Sequence, residues 1–148
     1  MNGPRNRPAE ILLVEDNPDD VDLMLEALKE TQRRHHVHVV EDGVEALAFL
    51  HRAASYANVP RPDIILLDLN LPKQTGHDVL GQIKSDPDLK LIPVVVLTTS
   101  ASDQDILTCY RLNANCYITK PLDFESFTTM MQMIDGFWLG TATLPPNR

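Results

Sequence analysis

Long apolar runs are missing from this sequence of 148 residues. No stretch approaches the ~18 consecutive apolar residues that a membrane-spanning helix needs. The opening MNGPRNRPAE carries charge but no apolar stretch that would make a signal peptide, so a cytoplasmic location with no membrane contact is expected. Cysteine is scarce as well. Cys109 and Cys116 form no C-x-x-C pair and have no histidine or cysteine at metal-binding spacing, which reads as two reduced thiols without a redox role. Basic residues are outnumbered, 13 Lys and Arg against 21 Asp and Glu, for a formal charge of −8. Affinity for nucleic acid rests on cations that displace phosphate counterions, so direct nucleic-acid binding is not expected.

What remains is ordinary for a folded chain: 43% hydrophobic and 23% charged residues, in a length that fits one domain and leaves no room for a second. Short β-branched apolar runs alternate with stretches of helical period. Residues 11–14, 37–40, 64–67, 94–97 and 116–118 read as five strands, and the first, third and fourth are continuously apolar, as central parallel strands covered on both faces should be. Val21, Met24, Leu25 and Leu28 mark a first helix, and Val44, Leu47 and Ala48 a second that opens at Asp42. Val79, Leu80 and Ile83 mark a third, and Ile106, Leu107 and Tyr110 a fourth opened by Ser102 or Asp103. The last starts near Asp123 and lays Phe127, Met131, Ile134 and Trp138 on one stripe facing the sheet. Five alternations predict right-handed crossovers and an α/β fold: a doubly wound, five-stranded parallel sheet flanked by five helices. In such sheets the ligand site lies beyond the carboxyl ends of the strands.

At that edge the sequence places Glu15 and Asp16 after the first strand and Asp68 after the third. An oxygen-only set of carboxylates suits a hard cation, and Mg²⁺ favours one or two protein carboxylates completed by water and phosphate. Thr98 ends the fourth strand and Lys120 follows the fifth, adding a hydroxyl and an ammonium able to meet phosphate oxygens. Each residue alone has a plain reading: a helix cap, a strand-forming threonine, a solvated lysine. Their convergence on one edge is what points to chemistry.

Over residues 11–138 the chain resembles the receiver domains of two-component response regulators. The matching pieces are Leu13-Val14-Glu15-Asp16-Asn17, Leu66-Leu67-Asp68-Leu69-Asn70-Leu71-Pro72, Thr98-Thr99 and Lys120-Pro121. The resemblance implies a flavodoxin-like fold, Asp68 as the acceptor of a phosphoryl group from a sensor histidine kinase, and Mg²⁺ as cofactor. It further implies Asp16 and Asp68 as direct metal ligands, Asn70 as a ligand through its backbone carbonyl, and Glu15 as one acting through water. Thr98 would be the switch hydroxyl, Lys120 the phosphate-binding lysine and Tyr117 the aromatic that moves between outward and inward positions. The chain departs from the common pattern in the basic loop Pro72-Lys73-Gln74-Thr75-Gly76-His77, where kinase recognition is expected to be specialised, and at Thr99, which bears on the hydrolysis rate.

The segment 137–146, with 114–121 and the Pro60-Arg61-Pro62-Asp63 lead, is similar to stand-alone regulators of phytochrome-type kinases, which implies a light-sensing kinase as donor and an unknown downstream protein as target. Expected boundaries are a flexible N-terminus over 1–9, a receiver domain over 10–139 and a tail over 140–148. Because Phe137, Trp138, Leu139, Leu144 and two prolines continue past a complete receiver, a homodimer is expected on the face of the fourth helix, fifth strand and fifth helix, with the tail crossing to the partner. Two rivals stand beside this reading. A Mg²⁺-dependent phosphohydrolase would need a general acid two residues after the nucleophile, where Asn70 stands, and a phosphorylation-independent interaction module would show loss of a reactive group. His35, His36 and His38 suggest a metal site on the second strand that no carboxylate completes, and His51 and His77 read as surface or cap residues.

Overall fold

The computed structural model describes residues 7–146. Five strands, β1 (Ala9–Val14), β2 (His35–Val40), β3 (Ile64–Leu67), β4 (Val94–Thr98) and β5 (Cys116–Thr119), form one sheet in the order β2-β1-β3-β4-β5. Every pairing is parallel. The three continuously apolar runs are the three inner strands, and the backbone of that centre is shielded on both faces. Helices α1 (Pro18–Lys29) and α5 (Phe124–Ile134) cover one face; α2 (Gly43–Leu50), α3 (Gly76–Ser85) and α4 (Asp103–Arg111) cover the other.

Period two along the strands divides the core. Leu12, Val14, Ile65, Leu67, Val94 and Val96 pack toward α2, α3 and α4, whereas Ile11, Leu13, Ile64, Leu66, Val95 and Leu97 pack toward α1 and α5. Each α-helix starts on a side-chain cap: Asn17, Asp42, Thr75, Ser102 and Asp123 accept backbone N–H groups of the first turn. Such caps contribute ~0.5–2 kcal/mol each and fix where the chain turns off the sheet. For α4 the cap is Ser102, not Asp103.

Several element details differ from the sequence expectation. Strand β2 begins at His35, because Arg34 and His35 already pair beside Ala9 at the start of β1. Helix α2 buries Ala46, Phe49 and Leu50 and leaves Val44 47% exposed, so its inward stripe is rotated from the expected one. On α4 it is Cys109 that is buried, while Leu107 and Tyr110 are about half exposed. Both helices are short, and two apolar stripes at helical spacing compete on each.

Helix α5 runs on into a π-helical turn over Asp135–Thr141. Phe127, Met131 and Ile134 are buried as expected, and Trp138 and Leu139 pack partly buried against the same cluster. Asp135 anchors this turn: it is 3% exposed, with Oδ2 3.0 Å from Arg33 Nε and Oδ1 2.6 Å from His35 Nε2. Pro145 and Pro146 then line a small hollow with Arg61, Pro62 and Pro93, which lead into the inner strands β3 and β4. The segment expected to cross to a partner therefore has packing within its own chain. At the other terminus Arg7 pairs with Asp63 (2.9 and 2.8 Å) and Ala9 is already in β1, so order begins before residue 10. The part of the expected flexible N-terminus over 1–6 lies outside the described residues, as do residues 147 and 148 of the tail.

Candidate functional site

Parallel register places the ends of β1, β3 and β4 side by side: Val14 pairs with Leu67, and Leu67 with Val96. The residues that follow must therefore share one edge. Glu15, Asp16 and Asp68 each present a carboxylate oxygen there, all within 4.8 Å of one another. Glu15 and Asp68 are buried, at 1% and 7% exposure, and Asp16 faces solvent. Across the edge, β5 delivers Lys120, whose ammonium donates to Glu15 Oε1 (2.6 Å), Asp20 Oδ2 (2.8 Å) and Asp68 Oδ2 (3.4 Å).

One ammonium cannot balance four carboxylates in so small a volume. Burial is the main reason that the Glu15 carboxyl is pushed up to about 7; the Lys120 hydrogen bond opposes that rise and the nearby Asp68 charge adds to it. Lys120 is held protonated by its Asp20 and Glu15 partners, although its own burial works the other way. The surplus of negative charge, presented as converging oxygens with one open side at Asp16, fits a hard divalent cation.

The loops around this cluster are tightly set. Asn70 donates its backbone N–H to Asp68 Oδ1 at 3.3 Å and is exposed on the loop that follows β3. The loop closes against the start of α3 at Gly76, where a methyl group would collide with the Asp68 carbonyl oxygen and the Leu69 backbone. It is also held to α2: Lys73, in the left-handed region at φ 68°, lies 3.3 Å from Asp42, and Gly43 leaves room for Gln74.

Thr98 is fully buried, and its hydroxyl accepts the Ser100 N–H at 3.4 Å. Tyr117 donates its hydroxyl to the Ser100 carbonyl at 2.9 Å, so the expected switch pair meets at Ser100. Ser100 in turn donates its hydroxyl to Asp105 Oδ2 at 2.6 Å, and His77 Nε2 lies 3.2 Å from Asp105 Oδ1. His77 is thus a bridge between α3 and α4 instead of a lone surface or cap residue. Its other ring nitrogen is 3.8 Å from Cys109 Sγ, which mimics the order of a Cys-His-Asp triad. The thiol is fully buried, and desolvation pushes it up to about 11, so it stays protonated and unreactive.

Of the seven residues singled out in the sequence, Glu15, Asp16, Asp68, Asn70 and Lys120 converge on one cluster, whereas Thr98 and Tyr117 meet beside it at Ser100, tied to it by the Lys120 N–H donated to the Thr98 carbonyl at 2.7 Å. Sequence reasoning missed Asp20, Ser100, Asp105 and Gly76. An acidic residue in the first turn of a helix that starts beside the cluster was the available signal for Asp20. Strand β2 corrects another expectation, because a carboxylate does stand beside its histidines. Glu10 Oε2 is 3.0 Å from His36 Nδ1, and Glu10 Oε1 is 2.8 Å from His38 Nε2. These are paired hydrogen bonds; among the described residues the converging metal-type set is that of Glu15, Asp16 and Asp68. His51 is the C-cap of α2, as read.

Comparison with known proteins agrees with this geometry. Residues 11–132 match the response regulator receiver domain. The chain is 49% identical over 145 residues to response regulator Rcp1 of Synechocystis, covering 98% of this chain and 99% of that one. Among solved structures it is similar to the phosphorylated cyanobacterial phytochrome response regulator RcpA, with TM-score 0.92, 51% identity and coverage of 95% and 100%. The Mn²⁺-bound form of Rcp1 gives TM-score 0.90, 50% identity and coverage of 94% and 100%. No helix among the described residues is long and apolar enough to cross a membrane. With the sheet, the acidic edge and the facing lysine all in agreement, the chain belongs to the response regulator receiver family and lies close to the cyanobacterial phytochrome regulators.

Proposed function

We propose that the protein takes a phosphoryl group onto Asp68 from a sensor histidine kinase of the phytochrome type and passes the signal on as a change of surface. The observation that carries this reading is the Asp68 carboxylate itself: 7% exposed, within 4.8 Å of the Glu15 and Asp16 oxygens, and facing Lys120 Nζ at 3.4 Å. A carboxylate oxygen attacks phosphorus in line, its electron pair forms the P–O bond, and the bond from phosphorus to the donor's imidazole nitrogen breaks with its electrons leaving on nitrogen. Asp16, Asp68, the Asn70 carbonyl and, through water, Glu15 would hold Mg²⁺, which when bound supplies charge neutralisation and orientation for the phosphoryl oxygens. Lys120 donates to the same oxygens as charge builds on them. Hydrolysis of the acyl phosphate resets the protein, which is therefore a switch and not a turnover enzyme on an external substrate.

Thr98 carries the change outward. Its hydroxyl and the Tyr117 hydroxyl both engage Ser100, so a shift of Thr98 toward the phosphoryl group alters the seat of Tyr117 between β4, α4 and β5. Leu107, Tyr110, Leu122 and Phe124 are exposed on α4, the β5–α5 loop and α5, and they supply an apolar face for a homodimer or for the unidentified downstream protein. Because the tail packs on its own chain, dimerisation is proposed through that face without exchange of the tail. Light scattering at tens of micromolar, a range in which a specific interface of ordinary affinity is occupied, tests it: Leu107→Asp should yield a monomer where wild type yields a dimer. The phytochrome link is supported by the near full-length likeness to Rcp1 and RcpA. Phosphoryl transfer from a purified phytochrome kinase, compared with a kinase of unrelated sensor type, tests that step.

A further inference from the structure

The Lys120 ammonium has three protons and three carboxylate partners, and its side chain is 4% exposed. Two of those partners, Glu15 and Asp68, belong to the converging set that would hold a cation, and Asp68 also has to bond phosphorus. Both therefore change what they bind when the site is loaded. Asp20 stands outside that set and keeps its oxygen free for the ammonium throughout.

Asp20 is also anchored through its backbone, with its side chain 22% exposed. It lies in the first turn of α1, where Asn17 accepts its backbone N–H at 3.2 Å, and α1 is fixed to the sheet by buried Met24, Ala27 and Leu28. Lysine is a point charge on a flexible four-carbon stem, so its place is set by its partners and not by its own geometry. We propose that Asp20 is a positioning residue for phosphoryl transfer: from 2.8 Å it holds the Lys120 ammonium at the height where the phosphoryl oxygens arrive, and keeps it from collapsing onto the Asp68 nucleophile. The inference rests on the reading of Asp68 as acceptor.

Without Asp20, the freed N–H of the ammonium turns to Asp68, at 3.4 Å the more distant of the two acidic partners that remain, and closes to full hydrogen-bond distance while Glu15 keeps its bond at 2.6 Å. A carboxylate oxygen so engaged is a poorer nucleophile, and the ammonium no longer sits where it can meet the incoming oxygens. Asparagine keeps an acceptor oxygen at the same place and so preserves the position while losing the charge.

The test compares wild type with Asp20→Ala, Asp20→Asn and Asp20→Ser, the last chosen because serine suits the first turn of a helix but is too short to reach Lys120. Acetyl phosphate labelling at saturating Mg²⁺ is followed by intact mass as a function of donor concentration. The maximal rate should fall about tenfold in the alanine and serine variants, with the half-saturating donor concentration nearly unchanged, and the asparagine variant should stay within about twofold of wild type. In the metal-free protein, the ¹⁵N resonance of the Lys120 ammonium should shift in the alanine and serine variants and hold its place in the asparagine variant. Wild-type rates in the alanine and serine variants, or equal slowing in all three, overturn the inference while a labelled wild type leaves the acceptor reading standing. A wild type that takes no label on Asp68 removes that reading and this inference with it.

Discussion

Glu15 and Lys120 approach to 2.6 Å with side chains 1% and 4% exposed, yet the carboxyl is pushed up to about 7. A protonated Glu15 must lose its proton before it can help to hold a cation. Its folded value lies above the usual 4.5, so its contribution to the stability of the metal-free protein is full below about 4.5 and is lost as pH rises through about 7. Metal binding runs the opposite way: apparent Mg²⁺ affinity should rise about tenfold from pH 6 to pH 8, with close to one proton released at pH 6. Titration calorimetry in two buffers of different ionisation enthalpy measures both, and Glu15→Gln should flatten the pH dependence.

Removing a ligand differs from removing the lysine. Asp16→Ala should abolish Mg²⁺ binding near neutral pH, since it deletes the ligand on the open side of the cluster. Lys120→Ala should bind Mg²⁺ about as well as wild type or better, because it removes a competing cation, and should lose its phosphorylation-dependent change of surface. Equal Mg²⁺ titration curves for wild type and Asp16→Ala would contradict the assignment.

Gly76 packs against the Asp68 carbonyl and Leu69 backbone so closely that a Cβ has no place. Gly76→Ala should lower stability by ~1–3 kcal/mol and slow labelling of Asp68 more than tenfold, because relief of the clash displaces the acceptor loop itself. Urea midpoints and labelling rates measured on the same sample separate the two effects. A variant that is destabilised but labels at the normal rate would show that the loop can yield without moving the acceptor.

The bridge from His77 through Asp105 to Ser100 restrains the β4–α4 loop. Asp105 is held below the usual carboxylate range, first by the Ser100 hydroxyl and then by His77, so the restraint persists as pH falls to about 4 and is lost as pH drops through the lowered value. Ser100→Ala should raise amide exchange across residues 100–103 several-fold while global stability moves by less than about 1 kcal/mol. Unchanged exchange in that loop would mean that the side chains of Tyr117, Thr98 and Thr119, bonded to the Ser100 backbone, hold it without the bridge.

The choice of central strands and the edge that gathers the polar groups were legible because the strongest signals were long-range in effect but local in sequence: apolar runs at 11–14, 64–67 and 94–97, each ending in a chemically distinct residue. Parallel pairing then brings those ends together with no further information. The stripes of α2 and α4 were misread because each helix spans barely two turns, and the choice between Val44 and Phe49, or between Tyr110 and Cys109, is made by what the sheet offers opposite them. Asp20 offered only the signal of an acidic first turn, which it shares with Asp19. Its partner Lys120 is 100 residues away, and nothing in the local spacing distinguishes it from Asp19, which is exposed. The tail looked unpartnered because Asp135, its anchor, finds Arg33 and His35 only once β2 has joined the sheet edge.

The measurement closest to the central claim is intact mass after incubation with acetyl phosphate and Mg²⁺, on wild type and on Asp68→Asn. Wild type should gain a single phosphoryl group, about 80 Da, that is lost on mild alkaline hydrolysis as an acyl phosphate is, and Asp68→Asn should gain none. An Asp68→Asn variant that labels as fully as wild type would contradict the account.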